Sequence, residues 1–117
     1  MASKVTSNPP LSAATLHILL ALAGGNLHGY GIIKEVAFNS EGHYKLGPGT
    51  LYDNLKKLMD AGLVADARKS VSTKDDDRRF YTLTREGKHA LAAEVDRLQS
   101  VVSKARLRLQ ETKAGRA

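Results

Sequence analysis

The chain of 117 residues contains no cysteine and no tryptophan, and only 5% of its residues are aromatic. The absence of cysteine excludes disulfides, cysteine-ligated zinc and thiol catalysis. The scarcity of aromatic rings leaves no stacking platform for RNA. The longest apolar stretch, around residues 16–23, is too short to span a bilayer, and no signal peptide is recognisable. These absences predict a single cytoplasmic domain with no membrane partner.

Patterns that would support catalysis or metal binding are missing as well. The four histidines are scattered, with no pair at i, i+4 spacing and no HExxH motif. The GPGT segment at 47–50 lacks the lysine and the preceding strand of a nucleotide-binding P-loop. The run Asp75–Asp77 lies in a predicted loop, without a partner for acid–base chemistry. We therefore expect a protein that is not an enzyme and that needs neither a metal nor another cofactor.

Positive charge is what the chain does have, and it is unevenly placed. The formal net charge is +6, yet residues 1–44 carry as many acids as bases. Residues 45–90 hold ten basic and seven acidic side chains, and residues 91–117 hold six and three. A basic surface favours an anionic partner such as nucleic acid. Solubility alone is an equally good explanation for a charge of this size.

The first half of the chain is predicted to form three short helices after a flexible arm over residues 1–10. The first helix, over residues 11–23, is apolar on more than one face, which indicates that part of it contacts another chain. In the second helix the predicted inward-facing side chains begin with Tyr30. The third helix opens at Pro48, a residue well suited to the first helical position. Its inward stripe consists of Leu51, Leu55, Leu58 and Met59.

The second half is predicted to form a hairpin and a long helix. Strands over residues 63–69 and 80–83 flank the charged tip SVSTKDDDRR. Thr84 then caps a helix over residues 85–112, followed by a frayed tail over 113–117. Apolar residues recur along this helix at steps of four and three, as in a coiled-coil seam, so we expect it to pair with its own copy. The predicted dimer interface contains Leu16, Leu19, Leu91, Val95, Leu98, Val102, Ala105 and Leu109.

This order of elements predicts a mainly α fold with a small β-hairpin. The fold class is a winged helix-turn-helix over residues 11–84, followed by a long C-terminal dimerisation helix. In that architecture the third helix enters the major groove of DNA, and basic residues hold phosphates. The polar outward face of residues 49–60 fits this role. The alternatives are an ordinary solvated helix face, or a winged helix used as a protein-interaction module, for which exposed apolar anchors would be expected.

Three motifs resemble the PadR family of bacterial transcriptional regulators. They are HGYGI at 28–32, LGPGTLYDNLKKLMDAGLV at 46–64 and RRFYTLTREGKHAL at 78–91. Their order and spacing match the family over residues 11–109, and the chain length resembles the smaller branch with one C-terminal dimerisation helix. The resemblance implies a homodimeric, sequence-specific repressor that binds a pseudo-palindromic operator in double-stranded DNA.

The resemblance also implies which residues contact DNA. They come from the third helix and from the hairpin, which acts as the wing. By position they are Gly49, Thr50, Tyr52, Asp53, Lys56, Lys57, Lys69, Lys74, Arg78 and Arg79. The acids at the tip would repel phosphate unless they pair with Arg78 or Arg79, so the wing is predicted to be a weak contact. Tyr30 and Tyr81 are predicted to pack.

An effector is a further expectation that the resemblance raises. Some relatives hold a flat aromatic molecule between tryptophans at the dimer centre. The absence of tryptophan here argues against that kind of effector. A small-molecule effector of another kind stays open and unidentified.

Overall fold

The computed structural model describes residues 9–67 and 79–115, with side chains as far as Glu111. Its elements, in chain order, are α1 (Ala13–Ala23), β1 (Leu27–His28), α2 (Gly29–Asn39), α3 (Pro48–Asp60), β2 (Val64–Ala67), β3 (Phe80–Leu83) and α4 (Arg85–Gly115). The three helices and the long fourth helix confirm the predicted fold class. None of the helices in the described part of the chain is both long and apolar enough to cross a membrane.

Side-chain caps explain where the helices begin. The Ser12 hydroxyl accepts a hydrogen bond from the Thr15 N–H at 3.1 Å, so α1 starts two residues after the predicted Leu11. His28 caps α2 by accepting from the Gly31 N–H at 3.1 Å. At α4 the Thr84 hydroxyl accepts from the Gly87 N–H at 2.9 Å, as predicted. Each cap satisfies a backbone donor that has no partner inside its helix.

The sheet has three antiparallel strands in the order β1-β3-β2. The β2–β3 hairpin was expected, whereas β1 was not. Leu27 pairs with Tyr81 and His28 with Phe80, so the start of α2 is joined to the last strand. Two residues are too short a stretch to show the alternation of a strand, which is why the sequence pattern does not reveal β1.

The core lies where α1, α2 and α3 meet the sheet and the first turns of α4. Its fully buried side chains are Ile18, Leu19, Ile32, Val36, Leu51, Leu55 and Val64. The prediction that Leu19 lies in the dimer interface is wrong, because this side chain is 0% exposed within a single chain. Helix α1 is apolar on several sides because it contacts α2, α3, α4 and β3 of its own domain.

Helix α4 leaves the domain halfway along its length. Its 31 residues span roughly 46 Å at 1.5 Å per residue, more than the domain can cover. Leu91 and Leu98 are half-buried, whereas every residue from Val101 to Glu111 is exposed. The helix also continues to Gly115, three residues beyond the predicted end, into the segment expected to fray.

Candidate nucleic-acid interface

The third helix presents an open N-terminus to solvent. Gly47 is extended and forms the cap position without a side-chain hydrogen bond, and Pro48 occupies the first turn. The next two residues, Gly49 and Thr50, are exposed. Their position leaves backbone N–H groups of the first turn available to an anion, which is how helix N-termini hold phosphate.

The outward face of α3 carries every predicted DNA contact of this helix. Leu51, Leu55 and Leu58 are buried, and the side chains between them point outward. All six of the predicted contacts are exposed, namely Gly49, Thr50, Tyr52, Asp53, Lys56 and Lys57. Asn54 is half-buried and donates to the Thr50 carbonyl at 2.8 Å, so its amide is engaged with its own helix. The structure therefore brings these six residues together on one surface.

Tyr52 packs against the start of α2 at Gly29. A Cβ atom at position 29 would lie 2.8 Å from the Tyr52 Cζ and would collide with its hydroxyl. The Tyr52 side chain would have to move to admit a Cβ atom at position 29, so the HGYGI and GTLY motifs meet in one contact. Tyr52 remains 50% exposed, with part of its ring packed and part facing solvent.

The structure corrects the prediction that Tyr30 packs in the interior. The buried residues of α2 are Gly29, Ile32 and Val36, and Tyr30 is 63% exposed instead of packed. The Lys34 ammonium lies 5.4 Å from the centroid of its ring. The sequence contained a signal for this arrangement, because residues four apart on a helix share a face.

The wing is only partly described. Lys69, Lys74, Arg78 and the Asp75–Asp77 run lie outside the described residues. Arg79 is described, and it pairs with Asp66. The Arg79 Nε donates to Asp66 Oδ1 at 2.6 Å, and Nη2 donates to Oδ2 at 3.0 Å. This hydrogen-bonded pair lowers the pKa of Asp66 and raises the pKa of Arg79. The sequence gives no sign of the pair because its members lie 13 residues apart.

A cleft of about 390 Å³ separates α3 from β3. Tyr52, Lys56 and Asp60 line the α3 side, with Arg79 and Tyr81 opposite. Tyr81 is 3% exposed, which confirms its predicted packing role, and burial raises the pKa of its hydroxyl. Its ring supports Arg79, whose Cζ lies 5.5 Å from the ring centroid. The cleft therefore carries two cations, Lys56 and Arg79, and one acid, Asp60, beside aromatic and apolar side chains.

The predicted dimer residues fall into three groups, which are half-buried, buried in the core, and exposed. Leu16, Leu91 and Leu98 are half-buried in the single chain, and Leu19 belongs to the core. Val95, Val102 and Leu109 are 50%, 42% and 70% exposed, and Ala105 is exposed between them. Contiguous exposed apolar side chains of this kind mark an interaction surface.

Three helices, a β2–β3 wing and an exposed polar face on the third helix define a winged helix-turn-helix protein. Residues 18–93 match the sequence model of the Transcriptional regulator PadR-like family. The chain belongs to this family, so the predicted resemblance is confirmed and the protein is a transcriptional regulator.

Similar proteins support the assignment. The chain is 34% identical over 80 residues to Transcriptional regulator Rv3488 of Mycobacterium tuberculosis, a match that covers 68% of this chain and 70% of that relative. A PadR family transcription regulator from Clostridium difficile R20291 superposes with a TM-score of 0.70 at 22% identity, over 84% of this chain and 99% of that one. Bacillus subtilis PadR in complex with operator DNA superposes with a TM-score of 0.59 at 29% identity, over 71% and 46% respectively.

Proposed function

We propose that this regulator is a homodimeric repressor that binds a pseudo-palindromic operator in double-stranded DNA, in the cytoplasm. The observation that carries the proposal is the outward face of α3, where polar and cationic side chains lie together beside the wing. Support comes from the Bacillus subtilis relative, whose structure contains operator DNA. The proposal assigns no catalytic activity to the chain.

In this proposal α3 is the recognition helix, and its first half enters the major groove. Thr50 and Asp53 lie near its N-terminus, where helix-turn-helix proteins contact base edges. Asp53 accepts hydrogen bonds and therefore suits the amino group of cytosine. Lys56 and Lys57, one turn further on, suit phosphates. The wing would add phosphate contacts through Lys69, Lys74, Arg78 and Arg79.

The dimer is proposed from the exposed half of α4. Val102, Ala105 and Leu109 lie on the half of α4 that extends beyond the domain, where water would face them in a monomer, and the exposed Val95 lies on the same seam closer to the domain. Pairing with a second copy would remove this apolar surface from water. Two recognition helices related by two-fold symmetry would then read half-sites about 34 Å apart, one turn of DNA.

The first test replaces Lys56 with alanine and measures operator affinity across salt concentrations. The slope of log affinity against log salt is expected to fall by about 0.9 for each phosphate that the lysine no longer neutralises, or about 1.8 for the dimer. Affinity should weaken to a similar extent on all sequences, because phosphates carry no sequence information.

Lys104→Ala is the matched control. Lys104 is exposed on α4 and donates to the Ser100 hydroxyl at 3.1 Å, away from the recognition helix. Its removal should leave the slope unchanged. Equal slopes for Lys56→Ala and the wild type would contradict the proposed docking of α3. Absence of DNA binding at low salt would favour a protein-interaction module instead.

A further inference from the structure

Arg79 is held from two directions at the base of the wing. The carboxylate of Asp66 accepts two parallel hydrogen bonds, from Nε and Nη2, and the Tyr81 ring lies 5.5 Å from the guanidinium carbon. Asp66 stands opposite Tyr81 in the β2–β3 ladder, and Arg79 precedes Tyr81 by two residues, so the pair spans a diagonal of the sheet. The register of β2 and β3 therefore brings the Asp66 carboxylate within hydrogen-bonding distance of Arg79.

The pair leaves part of the arginine available. A guanidinium has five N–H donors, and Asp66 takes two of them. The remaining three lie on the other edges of the group. Arg79 is 59% exposed at its side chain and lines the cleft beside α3 with Lys56. An anion placed at that cleft could thus bind Arg79 without displacing Asp66.

Stability of the fold does not account for this arrangement. Both side chains are more than half exposed, and exposed ion pairs contribute little to folding. A bidentate carboxylate does hold the planar guanidinium in a single orientation. A fixed orientation favours binding to a second acceptor, such as a phosphate or a base edge. A side chain that is already held in one rotamer loses less conformational entropy when it binds.

We propose that Asp66 is a positioning and specificity-determining residue for DNA binding, which orients Arg79 toward the DNA at the cleft between α3 and β3. The inference rests on the proposed function and goes further by assigning a role to an acid. Asp66 acts in two ways. Its hydrogen bonds hold the Arg79 guanidinium in the orientation that operator binding requires. Its negative charge reduces the attraction between Arg79 and DNA that is bound nonspecifically.

These two effects act in opposite directions on two kinds of DNA. Loss of the orientation weakens operator binding, where the position of Arg79 matters. Loss of the negative charge strengthens nonspecific binding, which depends on net positive charge. Removal of Asp66 should therefore lower the ratio of operator affinity to nonspecific affinity, because the first affinity falls and the second rises.

The experiment compares the full-length wild type with Asp66→Asn, on operator DNA and on a scrambled duplex of equal length, across salt concentrations. For D66N we expect operator affinity to fall about three- to ten-fold, the range of one well-placed arginine contact. Affinity for the scrambled duplex should rise, and its salt slope should steepen by up to about 0.9 per site.

Two further variants separate geometry from charge. Asp60→Asn removes the same charge from an acid that lines the cleft itself, but the arginine in that cleft is bonded to Asp66 and not to Asp60. D60N should raise affinity for both duplexes and leave their ratio near the wild-type value. Asp66→Glu keeps the charge and moves the carboxylate, so it should bind the scrambled duplex as the wild type does and recover part of the operator affinity.

Equal changes in the ratio for D66N and D60N would overturn the inference, because Asp66 would then act through its charge alone. An unchanged ratio in D66N would overturn it as well. Arg79→Ala must reproduce the operator loss of D66N, and an Arg79→Ala variant with wild-type operator affinity would contradict the proposed contact. A wild type that shows no sequence preference would refute the proposed function itself, a result distinct from preference retained in D66N.

Discussion

Replacing Val102 with glutamate is expected to convert the dimer into a monomer and to lower operator affinity by about 10²- to 10⁴-fold, the usual gain from linking two binding modules. Val102 is 42% exposed on the part of α4 that extends beyond the domain. In the proposed dimer this side chain lies in the seam between the two α4 helices. The substitution would bury two unpaired negative charges in an apolar interface, which costs several kcal/mol.

Sedimentation equilibrium and operator titration measure the two expected effects on the same samples. Ser103→Glu is the matched control, since residue 103 is exposed and lies about 100° further round the helix than residue 102, away from the seam. It adds the same charge and should remain dimeric with full affinity. A Val102→Glu protein that stays dimeric would show that the seam is not the interface. A monomer with full operator affinity would show that dimerisation does not serve DNA binding.

Gly87→Ala is expected to destabilise the fold by about 1–3 kcal/mol, as overpacking does in a close-packed site. A Cβ atom at this position would lie 2.6 Å from the Leu83 Cδ1 and would collide with the Leu63 carbonyl. That carbonyl accepts from the Thr84 N–H at 3.1 Å, and the Thr84 hydroxyl donates to the Gly62 carbonyl at 2.7 Å. The backbone that would have to move is therefore held by hydrogen bonds. The corresponding fall in melting temperature is about 5–15 °C.

Gly49→Ala provides the contrast for this prediction. Gly49 is also in the first turn of a helix, but nothing lies within 4 Å of an added Cβ. Alanine should stabilise the helix there by up to about 1 kcal/mol, because it restricts the unfolded chain and favours helix. Melting curves at equal protein concentration measure both variants. Equal melting temperatures for the Gly87→Ala and Gly49→Ala variants would mean that the junction between α4 and the wing is not tightly packed.

The starts of α3 and α4 and the buried stripe of α3 could be predicted from the sequence because each depends on residues close together in the chain. Pro48 after a glycine predicted the start of α3, and Thr84 as a cap predicted the start of α4. A helix start is determined by residues within its first turn. The apolar stripe of α3 follows from helical periodicity alone. The six candidate DNA contacts on α3 came from the resemblance to the PadR family, which assigns DNA contact to this helix.

The features that the sequence did not reveal depend on contacts between distant segments. Leu19 looks like any apolar helix residue, and only the arrangement of four neighbouring elements shows that it is buried. Tyr30 is 63% exposed, whereas its neighbour Gly29 packs against Tyr52 of another helix. The Asp66–Arg79 pair exists because two strands bring residues 13 positions apart into register. Charge and periodicity carry no information on such pairings.

The central claim is that two α3 helices of a dimer read a specific operator. It is tested most directly by selecting bound fragments from a random double-stranded DNA pool, sequencing them, and titrating the enriched sequence across salt concentrations. The account predicts an inverted repeat with half-site centres about one helical turn apart and an affinity that falls steeply with salt. Salt-dependent binding without an enriched sequence, or no binding at low salt, would contradict it.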